Sequence, residues 1–173
     1  MMLAVLASFA QEESRSMSEN NKWSIKKKFE RGEVMINTTR FCGYDKNEYG
    51  DLVVNRKEAE IVRLLFDLYL MNIGCSRLSD LLNYLGVKTM TDSWWETGTI
   101  GGMLSNEKYK GDFHLQKYYT PSTQRNVTRR NRGEVQSYYI SENHEPIDSP
   151  EIWGQVQEMK EYRKKERNIG QDG

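Results

Sequence analysis

The sequence predicts an α+β fold: a long N-terminal helix, a helix-turn-helix-like three-helix unit, a small antiparallel β-hairpin or sheet, and a C-terminal helix. Apolar residues recur at helical spacing in two consecutive blocks, Ile61, Leu64, Leu65, Leu68 and Tyr69, then Leu78, Leu81, Leu82 and Leu85, each marking one face of a helix. Residues 112–119 and 135–140 instead alternate and are rich in tyrosine, as half-buried strands do. A third observation sets the N-terminal end apart: neither Pro nor Gly occurs before Gly32. Four segments result: a long helix over 1–33, a linker and turn over 34–54, the main domain over 55–167, and a tail over 168–173.

The first segment fits one helix of roughly 30 residues. Met2, Val5, Leu6 and Phe9 lie within an arc of ~100°, an amphipathic face. The apolar run has no basic residue before it and is too short for a signal peptide or a membrane span. No capping residue precedes it, so the expectation is a helix entered from upstream, with its packing partner there. Arg15, Lys22 and Lys26 share an arc of ~40° on the opposite side. Lys27, Lys28 and Arg31 crowd the end, where cations suit the helix dipole. A solvated helix end explains this run as simply as a basic face laid along nucleic-acid phosphates.

Residues 32–44 have no helical period, and Arg40 makes them a basic, extended tether or groove-entering arm. Asp45 to Asp51 begins like a calcium loop, but Tyr49 and Arg56 stand where oxygen ligands belong. It reads as a turn between Tyr44 and a strand at 52–54. Asn55 with Glu58 makes a capping-box-like start for the first helix of the main domain. Ser76 is the expected cap of the second, which Gly86 ends. A third, near 97–105, must be held by packing of Trp94, Ile100, Met103 and Leu104, because Gly98, Gly101 and Gly102 each cost about 1 kcal/mol of helix propensity. Three short helices in this order resemble a helix-turn-helix unit with an overlong turn.

Between the two strands, residues 120–134 are polar and basic, a long mobile loop. Tyr118, Tyr119, Tyr138 and Tyr139 are expected to pack across the strands, with stacking groups as the other reading. Ser149-Pro150-Glu151 starts the last helix, with Pro at its first position.

Composition narrows the function. Apolar content of 37%, a mean hydropathy of −0.81 and 29% charged residues describe a chain with much exposed surface. Net charge is zero, so attraction to nucleic acid must come from local clusters. Two exist: residues 22–40, and residues 106–132 with Lys108, Lys110, Lys117, Arg125, Arg129, Arg130 and Arg132. Cys42 and Cys75 lack metal-ligand spacing and a disulfide framework, and they fit a reducing compartment. No phosphate loop, zinc spacing or activated-serine motif appears, so no metal, cofactor or catalytic residue is expected. His144 and the aspartates read as structural.

In this setting 94–116, WWETGTIGGMLSNEKYKGDFHLQ, presents a basic, aromatic turn. The ordered residues carry a resemblance. Gln11-Glu12-Glu13-Ser14 with Ser18-Glu19-Asn20, Gly43-Tyr44-Asp45, Glu58-Ala59-Glu60-Ile61-Val62, and above all Leu104-Ser105-Asn106-Glu107-Lys108-Tyr109-Lys110-Gly111-Asp112 with Leu115-Gln116-Lys117 resemble large serine recombinases of the phage and transposon integrase type. Gly133-Glu134-Val135, Glu142-Asn143-His144 and Ile152-Trp153 continue the match in order. It covers nearly the whole chain, in the "recombinase" DNA-binding domain that follows the catalytic domain.

The resemblance implies a DNA-binding fragment, inactive alone, that recognises an attachment-site half-site during integration or excision. In such proteins the catalytic serine lies in an N-terminal domain, the long helix crosses the DNA, the linker follows the minor groove and the small domain docks in the major groove. The three glycines depart from a family helix that often carries polar or basic residues there. The expected contacts are Arg15, Lys22, Lys26, Lys27, Lys28 and Arg31 to phosphates, Arg40 in a groove, and Thr97, Thr99, Lys108, Lys110 and Lys117 in docking, with Arg125, Arg129 and Arg130 from the hairpin. Double-stranded DNA is the expected partner, self-association through the N-terminal helix is expected in the full-length protein, and the setting is cytoplasmic, at a bacterial nucleoid. A transcriptional regulator without recombinase activity is the alternative, and a coiled-coil protein–protein module is the third reading.

Overall fold

The structure is a computed structural model that describes Lys27, residues 41–121 and residues 127–169. The chain divides into two units, 1–36 and 37–173. Of the first, Lys27 alone is described; it is helical and exposed. The expected long helix over 1–33 otherwise lies outside the described residues.

The second unit opens with a hairpin, β1 (Tyr44–Lys46) and β2 (Leu52–Val54), antiparallel with Tyr44 opposite Val54. Its turn is organised by Asn47, whose side-chain oxygen accepts from the backbone N–H of Tyr49 (3.0 Å) and Asp51 (2.9 Å), an Asx-type arrangement. Three helices follow: α1 (Arg56–Leu70), α2 (Cys75–Tyr84) and α3 (Thr97–Met103). A 3₁₀ turn at Glu107–Lys110 leads into β3 (Phe113–Leu115) and β4 (Tyr118–Tyr119). The return strands are β5 (Arg129–Arg130) and β6 (Tyr138–Ile140), and α4 (Pro150–Ile169) closes the unit.

Every described ladder is two-stranded and antiparallel: β1–β2, β3–β6 and β4–β5. Part of the expected loop is therefore strand; residues 122–126 are outside the described set. The tyrosines do not face one another. Tyr118 and Tyr119 stand opposite Arg130 and Arg129, and Tyr138 and Tyr139 opposite Leu115 and His114. The reason is a kink at Gln116 (φ 54°), clamped by Asn131, whose Nδ2 donates to the carbonyls of Gln116 (2.9 Å) and Val135 (2.6 Å).

The expected α1 cap forms, with one change. Asn55 Oδ1 accepts from the Glu58 N–H at 3.4 Å. The Glu58 carboxylate, which a capping box would return to the cap residue, accepts instead from the Gly43 N–H at 2.8 Å, tying the β-hairpin to α1. Ser76 is not the cap of α2. That position is Gly74, and it makes no side-chain capping bond.

The core of the unit is Tyr44, Val62, Leu65, Phe66, Leu78, Ile100, Leu104, Tyr109 and Val156, all at 1% exposure or less. The helical spacing overstates the core at its margins: Leu64, Leu81 and Leu85 are exposed. Trp94 is also exposed and lies under the Lys88 ammonium, whereas its neighbour Trp95 is buried. Asn83 explains the choice, because its amide exchanges two hydrogen bonds with the Trp95 backbone, at 2.8 and 2.9 Å.

The glycine-rich α3 is held as expected by Ile100, Met103 and Leu104, and also by α4. Gln157 donates to the Leu104 carbonyl (2.7 Å) and Lys160 to the Gly101 carbonyl (3.1 Å). Trp153 donates to the Asn106 carbonyl just beyond (3.1 Å). The Gly101 and Leu104 carbonyls are at the end of α3, where the helix leaves acceptors without an intrahelical partner.

Asp148, buried before α4, is pushed up to about 6, first by burial and then by the Asp67 carboxylate, with Arg63 opposing. The native state then holds more protons than the unfolded chain between the ordinary value of 3.8 and about 6, so stability falls as pH rises through that window. Asp148→Asn should raise stability at pH 7 by about 1–2 kcal/mol, and urea melts should show the gain vanish near pH 4.

Two glycines test the backbone. Gly111 has φ +91°, and a Cβ there would stand 2.8 Å from the His144 carbonyl oxygen; a Cβ on Gly98 meets nothing within 4 Å. Gly111→Ala should cost roughly 2–4 kcal/mol, whereas Gly98→Ala should stabilise by up to about 1 kcal/mol. Denaturant midpoints with unchanged slopes would read both.

Candidate nucleic-acid interface

The signature turn is built around Tyr109. Asn106 caps the 3₁₀ turn by accepting from the Lys108 N–H (3.3 Å), and Gly111 closes it in the left-handed region. Tyr109 thereby points inward: its ring meets Phe66 edge-on at 6.0 Å, and its hydroxyl donates to the Cys42 carbonyl at 3.0 Å. Burial pushes the Tyr109 hydroxyl well up and the Cys42 thiol up to about 12, so both stay neutral and neither serves as a nucleophile near pH 7.

The lysines flanking Tyr109 are engaged inside the protein. Lys117 lies 2.7 Å from Glu107, and Lys108 is 4.0 Å from the same carboxylate. Burial would raise the Glu107 carboxyl, but the Lys117 hydrogen bond and the two ammonium charges hold it below its ordinary value. Lys108 is lowered, chiefly by burial. Lys110 bonds Asp112 at 2.8 Å and sits 4.8 Å from the Trp153 ring centroid. Asp112 also accepts from the Tyr139 hydroxyl (2.5 Å) and the Glu142 N–H (3.1 Å), which makes it a junction and more than a turn residue.

His144 is structural here, as expected. Its Nε2 lies 2.7 Å from the Lys108 carbonyl, its ring packs against Tyr44 and Phe113, and burial lowers its basicity.

The remaining expected residues fall into three groups. Arg15, Lys22, Lys26, Lys28, Arg31, Arg40 and Arg125 lie outside the described residues. Thr97 and Thr99 are exposed on α3, where Thr97 Oγ1 approaches Ser79 Oγ at 3.5 Å. Arg129 and Arg130 are exposed on β5, and Lys27 is exposed on its helix. The structure does not gather Lys108, Lys110 and Lys117 into a free cationic cluster.

Cations that the sequence reading passed over do come together. Arg77 near the start of α2, with Lys160, Arg163 and Lys164 of α4, line a groove of about 870 Å³ that α3 borders through Thr97 and Gly101. Lys160, Arg163 and Lys164 are spaced i, i+3 and i+4, a signal available within the charged run of the last helix. Among the described residues no group of acidic, histidine or cysteine side chains is arranged to hold a metal ion. No described helix is long and apolar enough to cross a membrane.

The internal ion pairs have a measurable consequence. Glu107 is 5% exposed, so Lys117→Gln leaves a buried carboxylate short of its partner and should cost roughly 1–3 kcal/mol, less than a fully buried pair because Lys117 is partly solvated. A depressed carboxyl contributes stability above its ordinary value of 4.5 and loses it as pH falls through the folded value. The difference between wild type and variant in thermal melts should shrink accordingly below about pH 4.

Known proteins place this arrangement. A crystal structure of an LSR–DNA complex superposes with a TM-score of 0.53 at 24% identity, over 80% of this chain and 38% of that one. A structure from work on the sequence requirements of the Listeria innocua prophage attP site gives 0.48 at 24% identity, over 78% and 49%. The chain thus spans less than half the length of either. No curated protein matches it. The Recombinase family model matches residues 56–163, more than half of the chain, from the start of α1 into the second half of α4. The chain belongs to the Recombinase family.

Proposed function

We propose that the chain is the DNA-binding part of a site-specific serine recombinase, recognising an attachment-site half-site during DNA integration or excision. The observation that carries this reading is the family match over 56–163, on a fold shared with a protein solved in complex with DNA. The Tyr109 phenol and the His144 imidazole are engaged in holding the fold, which fits a binding role. In this reading strand cleavage is the work of a serine of the whole protein, and no described residue takes a catalytic role. The operator-reading regulator has no observation of its own to favour it.

The ion pairs of Lys108, Lys110 and Lys117 with Glu107 and Asp112 favour a folding role for them. Phosphate contacts then fall to exposed cations, with Arg129 and Arg130 on the hairpin and the basic residues of 1–40 as further contributors. Self-association through the N-terminal helix belongs to the whole protein, acting at DNA in the bacterial cytoplasm.

With roughly six phosphate contacts, affinity for duplex DNA should fall with salt at a log–log slope of about −5. Fluorescence anisotropy across a salt series measures it. A salt-insensitive interaction, or none at any salt, would remove the DNA-binding reading.

A further inference from the structure

The groove between the start of α2 and the second half of α4 has a use that the fold does not consume. Four cations, Arg77 of α2 and Lys160, Arg163 and Lys164 of α4, line it together with two carboxylates of α4, Glu161 and Glu166. Lys160 is spent on the fold, donating to the Gly101 carbonyl and to Ser105 Oγ, and burial lowers it. Arg163 lies over the Tyr69 ring at 4.3 Å and donates to Asn72 Oδ1 at 2.7 Å, which fixes its guanidinium at the groove wall. Glu166 accepts from the Tyr162 hydroxyl at 2.7 Å, drawing it toward its own helix surface. Arg77 and Lys164 remain, both exposed and neither in a hydrogen bond or ion pair among the described residues.

The groove is also well placed. α3 forms part of its wall through Thr97 and Gly101, and a Cβ on Gly98, Gly101 or Gly102 would meet nothing within 4 Å. A phosphate strand in the groove would therefore run beside a helix that presents little beyond its backbone, where a duplex can approach closely.

From this we propose that the α2–α4 groove is a seat for the phosphate backbone of duplex DNA, with Arg77 and Lys164 as contacting cations and Arg163 as a prepositioned third. This rests on the DNA-binding reading and deepens it. It moves the domain's phosphate contacts from the signature lysines to a different face. The charge pattern selects a polyanion over an apolar partner, because four cations outnumber the two carboxylates of the groove.

The test uses the full chain and a fluorescently labelled duplex of random sequence, since backbone contacts carry no sequence requirement. Arg77→Gln/Lys164→Gln should make the salt slope shallower by about 2 and weaken low-salt affinity by about tenfold or more. Lys46→Gln/Lys57→Gln, which removes two exposed cations outside the groove, should change the slope by less than half as much. Circular dichroism melts should show both variants folded, as expected of surface substitutions. Equal losses from the two pairs, or an unchanged slope in the groove variant while wild type still binds, would overturn the seat and leave the DNA-binding reading standing. Absence of binding by wild type would overturn both.

Discussion

Tyr109 is the point on which the rest of the domain depends. Its hydroxyl donates to the Cys42 carbonyl ahead of β1, its ring packs on Phe66 of α1 and near Tyr44 of β1, and its own carbonyl accepts from the N–H groups of Ile147 (2.9 Å) and Asp148 (3.0 Å) before α4. One residue therefore links the entry hairpin, the first helix and the approach to the last. Tyr109 is distant in sequence from all three, so each of its contacts closes a long loop, and a shared anchor spreads that entropic cost over several bonds. A buried phenol is suited to the role because the large ring supplies apolar contact while the hydroxyl satisfies a carbonyl that would otherwise be orphaned.

The chain can reach that anchor only through two left-handed glycines. Gly43 (φ +97°) lies beside Tyr44, and a Cβ there would stand 2.4 Å from Ile147 Cδ1. Gly111 (φ +91°) ends the 3₁₀ turn against the His144 backbone, and its carbonyl accepts from the Asn143 N–H at 2.8 Å. The Gly-Tyr pair and the Lys-Gly-Asp end of the turn are the two sides of one junction. Tyr44 completes it, with its hydroxyl shared between the Lys108 (3.1 Å) and Glu145 (2.9 Å) carbonyls, and burial pushes that hydroxyl's pKa up.

Much of this was legible in the residues, and the limits have physical causes. The helices of the main domain, the hairpin at Tyr44, the Asn55 cap and the Pro150 start are local decisions, written in spacing and in turn chemistry. What the spacing could not convey was which member of a pair turns inward. Trp95 is buried in place of Trp94 because Asn83, twelve residues back, holds its backbone. The strand register escaped for a similar reason: Asn131 bridges the kink at Gln116 across a segment that reads as an ordinary polar loop. The groove was hidden because Arg77 and Lys164 belong to different helices, and periodicity within one helix says nothing about what another brings beside it.

The signature turn shows why family membership and DNA contact need not reside in the same atoms. Glu107, Lys108, Tyr109, Lys110, Gly111 and Asp112 are constrained by each other and by the core, through an ion pair on a buried carboxylate, a phenol beneath a distant carbonyl and a backbone angle few residues adopt. A lysine held in such a pair would have to give up its internal partner to neutralise a phosphate, leaving a buried carboxylate uncompensated. In the proposed DNA-binding role, the same six residues are thus poorly placed to vary with the target. A binding surface free to vary has to be built from side chains the fold does not need. For that proposed role, the exposed Arg77 and Lys164 of the α2–α4 groove are candidates among the described residues, beside a helix whose glycines leave its face open.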